Sequence, residues 1–382
     1  MKKSLHVISF DNPFPANYGG AIDVYYKLKA LKNAGCHIIL HVFQYGDMRE
    51  QRENLSKVAD EIYYYRRKTG ICSNFNLLPY IVYSRRSKEL LKNLLKDNYP
   101  ILFEGLHSCY LLQNPALKNR LKLVRSHNVE HQYYHFLYET ATSIWKKLYY
   151  RVEEYRLKRY EKTLMCADEI FAISTSDKQY FQTQFPELKI ELLPCFFDGD
   201  ESQKSIPHKS SDYFLYHGNL EVAENQKAVL YLLKQVVPLT NTSIKWKIAG
   251  KNPPKKIREI VMLNKQVELI VNPNDYELNQ LIANARANVL ITFQPTGIKL
   301  KLLNALYKGG FCIVNKMMLT GTDLEDLCLI ADTPRDIANL INSVSIIEFN
   351  QKDKNFRLQK LSKKYSNILN TKIILDNLED EL

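Results

Sequence analysis

The stretch LHVISFDNPFPANYGGAIDVYYKLKALKNAGCHIILHVF, from Leu5 to Phe43, decides the fold. Leu5–Phe10 at its start and His37–Phe43 at its end are apolar runs of strand length. Between them Val24, Leu28 and Leu31 recur at helical spacing, and Gly35 stands where that helix should stop. Strand, helix and strand in so short a span form a βαβ unit, whose two strands lie parallel.

The alternation continues along the chain. Candidate strands Glu61–Tyr64, Ile101–Phe103, Lys122–Arg125 and Glu169–Ile173 follow in the first half. Tyr213–Tyr216, Lys245–Ala249, Val267–Val271, Asn288–Thr292, Phe311–Asn315 and Cys328–Ala331 occupy the second. Helical stretches separate them, which predicts an α/β protein of two doubly wound parallel sheets in tandem. Phe185 to Asp212 carries Pro186, Pro194, Pro207 and the polar run Asp198–Lys204, and reads as a linker. Domains are therefore expected at 1–190 and 205–355. The tail from Phe356 to Leu382 spaces Leu358, Leu361, Tyr365, Ile368 and Leu369 as a helix without a following strand.

Composition narrows the class. Of 382 residues 45% are apolar and 25% charged, values of a folded globular chain rather than a disordered or collagen-like one. Lys and Arg number 53 against 41 Asp and Glu, a net +12 that favours a polyanionic partner: nucleic acid, nucleotide phosphate or an anionic membrane face. Met1 to Phe10 is too short for a signal peptide, and no window approaches the roughly 18 apolar residues of a membrane helix, so a cytoplasmic protein is expected. Seven cysteines without a C-x-x-C pair point to reduced thiols, with neither disulfides nor zinc.

Several segments could carry chemistry. Tyr18, Gly19 and Gly20 open the first helix, where glycines either make a tight turn or let backbone N–H groups approach an anion. G-x-G-x-x-G is absent there. Arg125-Ser126-His127-Asn128-Val129-Glu130-His131 follows a strand, at the edge where open α/β sheets present side chains to ligands. Its histidines suit capping, polar substrate contacts or, least well, a metal. Lys146–Lys162 reads as an amphipathic helix with Ile144, Leu148, Val152 and Tyr155 on one side, seven basic residues and three acidic ones. It is either a solvated face or a patch for anionic lipid. A helix from Ile298 to Lys308 buries Ile298, Leu302, Ala305 and Leu306, while Gly297, Lys301, Asn304 and Lys308 share a polar stripe. That stripe is a solvated face or, with Lys299 and Lys301 in the first turn, a diphosphate cradle. Asp198-Gly199-Asp200, in the linker, reads as a solvated turn.

These pieces, in this order, resemble the family 4 glycosyltransferases, retaining enzymes of the GT-B fold. The likeness rests on Pro13-Phe14-Pro15 through Gly19-Gly20, Ser126-His127-Asn128-Val129-Glu130, Ile173-Ser174 and Leu193-Pro194. In the second half it rests on His217-Gly218-Asn219-Leu220, Ile248-Ala249-Gly250-Lys251 and Thr296 to Gly310. The resemblance implies two Rossmann-like domains facing across a cleft, with helix 356–382 packing back on the first. It implies a nucleotide-sugar donor held by the second domain, an acceptor held by the first at Tyr18, Gly19 and Asn128, and no metal or other cofactor. His127 takes the place of a histidine near the donor sugar, and Gly20 that of the glycine loop at the reaction centre. Two glutamates eight positions apart, which contact sugar and ribose in the family, correspond here to Thr296 and Asn304. The family's Arg is Asn219 and its paired Lys is Lys227, so the chain looks like a divergent branch. Thr296, Gly297, Ile298, Lys299, Lys301 and Asn304 complete the implied donor site, with the two lysines supplying the charge that Asn219 lacks.

The activity so implied is transfer of a sugar from a nucleotide diphosphate to a hydroxyl of a glycan or lipid-linked glycan, in surface polysaccharide or glycoconjugate synthesis. Two other classes stay open: a catalytically silent GT-B partner subunit, supported by the missing carboxylates, and a nucleic-acid-binding protein, supported by charge alone.

Overall fold

A computed structural model describes residues 3–16, 18–44, 52–70, 73, 76–141, 143–198, 211–294 and 299–378. The chain divides into two compact units: 1–197 with 365–382, and 198–364.

The first unit holds a parallel sheet of seven strands: β1 (Ser4–Ser9), β2 (His37–Gln44), β3 (Glu61–Arg66), β4 (Ile101–Glu104), β5 (Lys122–Arg125), β6 (Glu169–Ala172) and β7 (Lys189–Leu192). Their spatial order is β3-β2-β1-β4-β5-β6-β7, so the sheet grows in one direction from β1 and then reverses at the β1/β4 junction. Strands covered on both faces must be nearly continuous in apolar residues. Accordingly every residue of β1 after Ser4 is buried. The two buried histidines on β1 and β2 satisfy each other and their neighbours: His6 Nδ1 lies 2.8 Å from His41 Nε2, His41 Nδ1 lies 2.8 Å from Tyr65 Oη, and His6 Nε2 lies 2.9 Å from Asp97.

Helix α1 (Gly19–Asn33) follows β1, buries Val24, Leu28 and Leu31 as their spacing predicts, and ends before Gly35, whose φ of 84° favours glycine. Truncating such a fully buried leucine to alanine costs about 2–5 kcal/mol. Helices α2 (Glu130–Thr140) and α3 (Ile144–Tyr160) pack as a pair.

The second unit holds six parallel strands, β8 (Tyr213–Asn219), β9 (Lys245–Lys251), β10 (Val267–Val271), β11 (Ala287–Leu290), β12 (Phe311–Val314) and β13 (Leu329–Ile330). Their order β10-β9-β8-β11-β12-β13 reverses at β8/β11. Helix α4 (Ala223–Tyr231) follows β8, and α5 (Leu300–Lys308) follows β11.

Two expectations need correction. β7 lies inside the segment read as linker: Lys189–Leu192 is a short edge strand, half of it polar, and Cys195, Phe196 and Phe197 beyond it are buried. The tail is two helices rather than one. α6 (Gln351–Lys364) belongs to the second unit, where Arg357 donates to Gly310 O at 2.6 Å. Only α7 (Asn367–Asp376) joins the first, its Ile374 packed in the same core as Val24 and Leu28. On the basic helix the apolar side is not the buried one. α3 buries Glu153, Leu157 and Tyr160 and exposes Ile144, Leu148, Val152 and Tyr155, because its core contacts are made by tyrosines and a hydrogen-bonded glutamate.

Candidate functional site

In open α/β sheets ligands bind beyond the carboxyl ends of the strands where the winding reverses. Both junctions here carry a polar cluster.

At β1/β4, α1 supplies Asp23 and Lys27, one helical turn apart, and β4 and β5 end on Glu104 and Arg125. All four are buried. Lys27 Nζ donates to Asp23 Oδ2 at 3.1 Å and to both oxygens of Glu104 at 2.8 Å. Arg125 donates to both oxygens of Asp23, at 3.3 and 3.2 Å. Burial alone would raise the Asp23 carboxyl, but the charges of Arg125, Lys27 and His127 outweigh it and hold Asp23 far below its usual range. Glu104 is lowered in the same way, against its own burial, chiefly by Lys27 and His127.

His127 lies 2.9 Å through Nε2 from Glu104 Oε2, with the Phe10 ring edge-on at 5.3 Å. An ionised carboxylate only accepts, so His127 Nε2 carries a proton and donates it to Glu104. Asp23, Glu104 and His127 are close enough to hold an ion in principle. Their carboxylates, however, already bind Lys27 and Arg125, so the set suits a histidine fixed in orientation better than a cation.

The neighbouring residues of the motif go elsewhere. Ser126 Oγ donates to Asn128 O at 2.9 Å. Burial pushes the Glu130 carboxyl up to about 8, with Asn128 opposing it, and Glu130 Oε1 lies 3.7 Å from His107 Nδ1. His131 meets Glu161 at 3.3 Å. His127, Glu130 and His131 thus face three different partners, which removes the metal reading of that motif. Tyr18 is exposed and donates to Asp11 Oδ2 at 3.0 Å, and Gly19 is exposed beside it. Gly20 is a glycine because the Phe10 ring covers it: a Cβ there would lie 2.6 Å from Phe10 Cζ.

At β8/β11 the second cluster centres on Lys301. Its Nζ donates to Asn225 Oδ1 at 2.9 Å and to Tyr216 Oη at 3.3 Å, and sits 5.0 Å from the centre of the Tyr216 ring. Burial pushes Lys301 down to about 8, with Glu224 opposing and Lys299 adding to the shift. Lys299, the residue that caps α5, is likewise lowered by burial. Glu224 accepts from Thr292 Oγ1. Asn219 closes its own loop, taking Glu221 N on its side chain at 3.0 Å and Asn225 Nδ2 on its carbonyl at 2.8 Å. Lys227 is exposed, its Nζ 4.6 Å from the centre of the Phe293 ring.

The stripe Lys301, Asn304, Lys308 is not a solvated face. Lys308 is buried and donates to Asn279 at 3.0 Å, while Asn304 Oδ1 is buried without a hydrogen-bond partner among the described residues. His217 Nε2, at the end of β8, is also buried and unpartnered among them. Burial, with the charges of Lys301 and Lys308, lowers His217 to about 3, so it is neutral. Thr296, Gly297 and Ile298 lie outside the described residues, and the helix expected from Ile298 is described from Leu300.

Reading the sequence missed Asp23, Lys27, Glu104, Tyr216 and Asn225. A lysine one turn after an aspartate, inside the apolar spacing Val24, Leu28, Leu31, was the available signal for the first two.

Residues 211–345 match the model of the family "Glycosyl transferases group 1". Over 332 residues the chain is 29% identical to a Klebsiella pneumoniae protein described as an uncharacterized 44.6 kDa protein in the cps region, covering 83% of this chain and 84% of that protein. Among solved structures it resembles Anabaena HepE in complex with UDP and glucose, with a TM-score of 0.69 at 12% identity, covering 99% of this chain and 100% of that one. It resembles TarM equally, with a TM-score of 0.69 at 11% identity and 99% of each chain covered. No helix among the described residues is long and apolar enough to cross a membrane. The two Rossmann-like sheets thus have the GT-B fold, and residues 211–345 of the second unit match the glycosyl transferases group 1 family.

Proposed function

We propose that the protein transfers a sugar from a nucleotide diphosphate donor to a hydroxyl of a glycan or lipid-linked glycan, with retention of anomeric configuration, in the synthesis of a surface polysaccharide. The observation that carries this reading is Lys301: a desolvated ammonium at the β8/β11 reversal whose hydrogen bonds go to a tyrosine and an asparagine. A half-buried cation held by neutral oxygens is ready for an anion, and a diphosphate supplies one. Asn304 and His217, each with a buried polar atom unpaired among the described residues, offer contacts to ribose or sugar hydroxyls. The HepE structure, which contains UDP and glucose, and the cps-region relative support the donor class and the polysaccharide setting.

In this reading the second unit holds the donor through Asn219, Lys227 and Thr296 to Asn304. The first supplies the acceptor side through Tyr18, Gly19 and Asn128, and Gly20 and His127 as its catalytic residues. As the bond from the anomeric carbon to the diphosphate breaks, charge grows on the leaving oxygens, and Lys299 and Lys301 stabilise it without a metal ion.

Turnover of a panel of nucleotide-sugars with a lipid-linked acceptor, followed by NMR of the product linkage, tests the proposal. A product with the donor's own anomeric configuration is expected. An inverted product would remove the retaining mechanism, and tight donor binding with no transfer to any acceptor would favour a silent partner subunit.

A further inference from the structure

Helix α3 has two opposed faces. Tyr149 and Tyr150 pack against the core of the first unit, and Glu153, Leu157 and Tyr160 are buried. Glu153 anchors that face, accepting from Tyr80 N at 2.7 Å and from Arg156 at 2.8 Å. At 100° per residue Leu148 lies about half a turn from Leu157, on the side away from the core. There Ile144, Trp145, Leu148 and Tyr155 are 72%, 78%, 58% and 69% exposed, and Leu77, 84% exposed, lines one groove with Val152 and Tyr155. Five large apolar side chains side by side on a surface are a binding feature rather than scatter.

Charge is distributed to match. Arg151, Lys158 and Arg159 fall within about 80° of Leu148 around the helix, whereas Glu153 and Glu154 lie about 140° and 120° away. Arg151 pairs with Glu154 at 2.9 Å, an exposed contact one turn apart that contributes little.

We propose that this face docks on an anionic lipid surface. The helix would lie in the membrane plane, with Trp145, Leu148 and Tyr155 in the boundary between head groups and acyl chains and the basic residues on lipid phosphates. Trp and Tyr beside an apolar stripe, rimmed by long cationic side chains, are what an interfacial helix requires. A second copy of the chain fits less well, because a two-fold contact would set Arg151 and Arg159 against their own images.

The full chain is sedimented with vesicles of phosphatidylcholine, with and without phosphatidylglycerol. Binding should need phosphatidylglycerol, weaken with salt, and fall about fivefold for each charge removed in Lys158→Gln and Arg159→Gln. Trp145→Ser with Leu148→Ser should abolish it. Trp145 emission should shift to the blue on phosphatidylglycerol vesicles, over a constant background from buried Trp246. All these sites are exposed, so the variants should keep the parent's melting temperature. Equal binding to both vesicle types, or binding that ignores both variant pairs, overturns the proposal. So does a dimer that the Trp145 and Leu148 changes convert to monomer, or saturable binding of polyglutamate with no vesicle binding.

Discussion

Lys27 Nζ lies 2.8 Å from each carboxylate oxygen of Glu104, and neither side chain is open to solvent. The same carboxylate orients His127. Lys27→Met therefore leaves Asp23 and Glu104 with one cation too few in a buried site, and should cost about 3–5 kcal/mol in urea unfolding. Lys27→Met with Glu104→Leu, which removes the orphaned charge, should recover part of that loss. It should not restore turnover, because His127 has lost its partner.

The buried His6–His41 pair should contribute less stability in mild acid. His41 is held well below its usual pKa by burial and by His6, and His6 is lowered too, by burial despite Asp97. The unfolded chain then binds protons that the folded one refuses. The contribution of this histidine pair is full above about pH 6.5 and declines as pH drops below it, while Glu130, raised to about 8, acts in the opposite sense. Urea midpoints of the parent and of His41→Asn at pH 7.5 and 5.5 measure this: the parent should lose more stability, or gain less, than the variant on going to pH 5.5.

Much of this was legible in the sequence. The strands Lys122–Arg125 and Val267–Val271 are found residue for residue, from the apolar pairs and triplets Leu123-Val124 and Leu269-Ile270-Val271 at their centres and ends. β7 was not, since Lys189 and Glu191 give an edge strand the composition of a loop. His127 and Lys301 stood out by their position after a strand and at a helix start. Asp23 and Glu104 did not: a charged residue reads as surface until its buried partner, distant in sequence, is known. For the same reason the sequence does not say which side of α3 faces the core: that side holds Leu157, tyrosines and a paired glutamate, and the exposed side isoleucine, leucine and valine.

Lys299 and Lys301 should be separable. One charge-assisted contact is worth roughly 1.5–3 kcal/mol, so Lys301→Ala should weaken nucleoside diphosphate binding about tenfold to a hundredfold and leave nucleoside binding nearly unchanged. Lys299→Ala should do less. With Lys301 pushed down to about 8, an arriving diphosphate restores its proton, and calorimetry near pH 8 in buffers of different ionisation enthalpy should show proton uptake.

Chelation should leave activity intact. The carboxylates nearest His127 are occupied by Lys27 and Arg125. Turnover in EDTA should match turnover in manganese or magnesium, whereas abolition by EDTA with recovery on adding either ion would place a cation at the donor diphosphate.

The most direct measurement is mass spectrometry of the protein incubated with a mixture of nucleotide-sugars and lipid-linked glycan acceptors. One donor should be depleted, its nucleoside diphosphate released, and an acceptor should gain the mass of one sugar, with all three signals lost in Lys301→Ala. A mixture left unchanged, with no nucleotide retained on the protein, would contradict the assignment of a diphosphate-sugar site to the β8/β11 reversal.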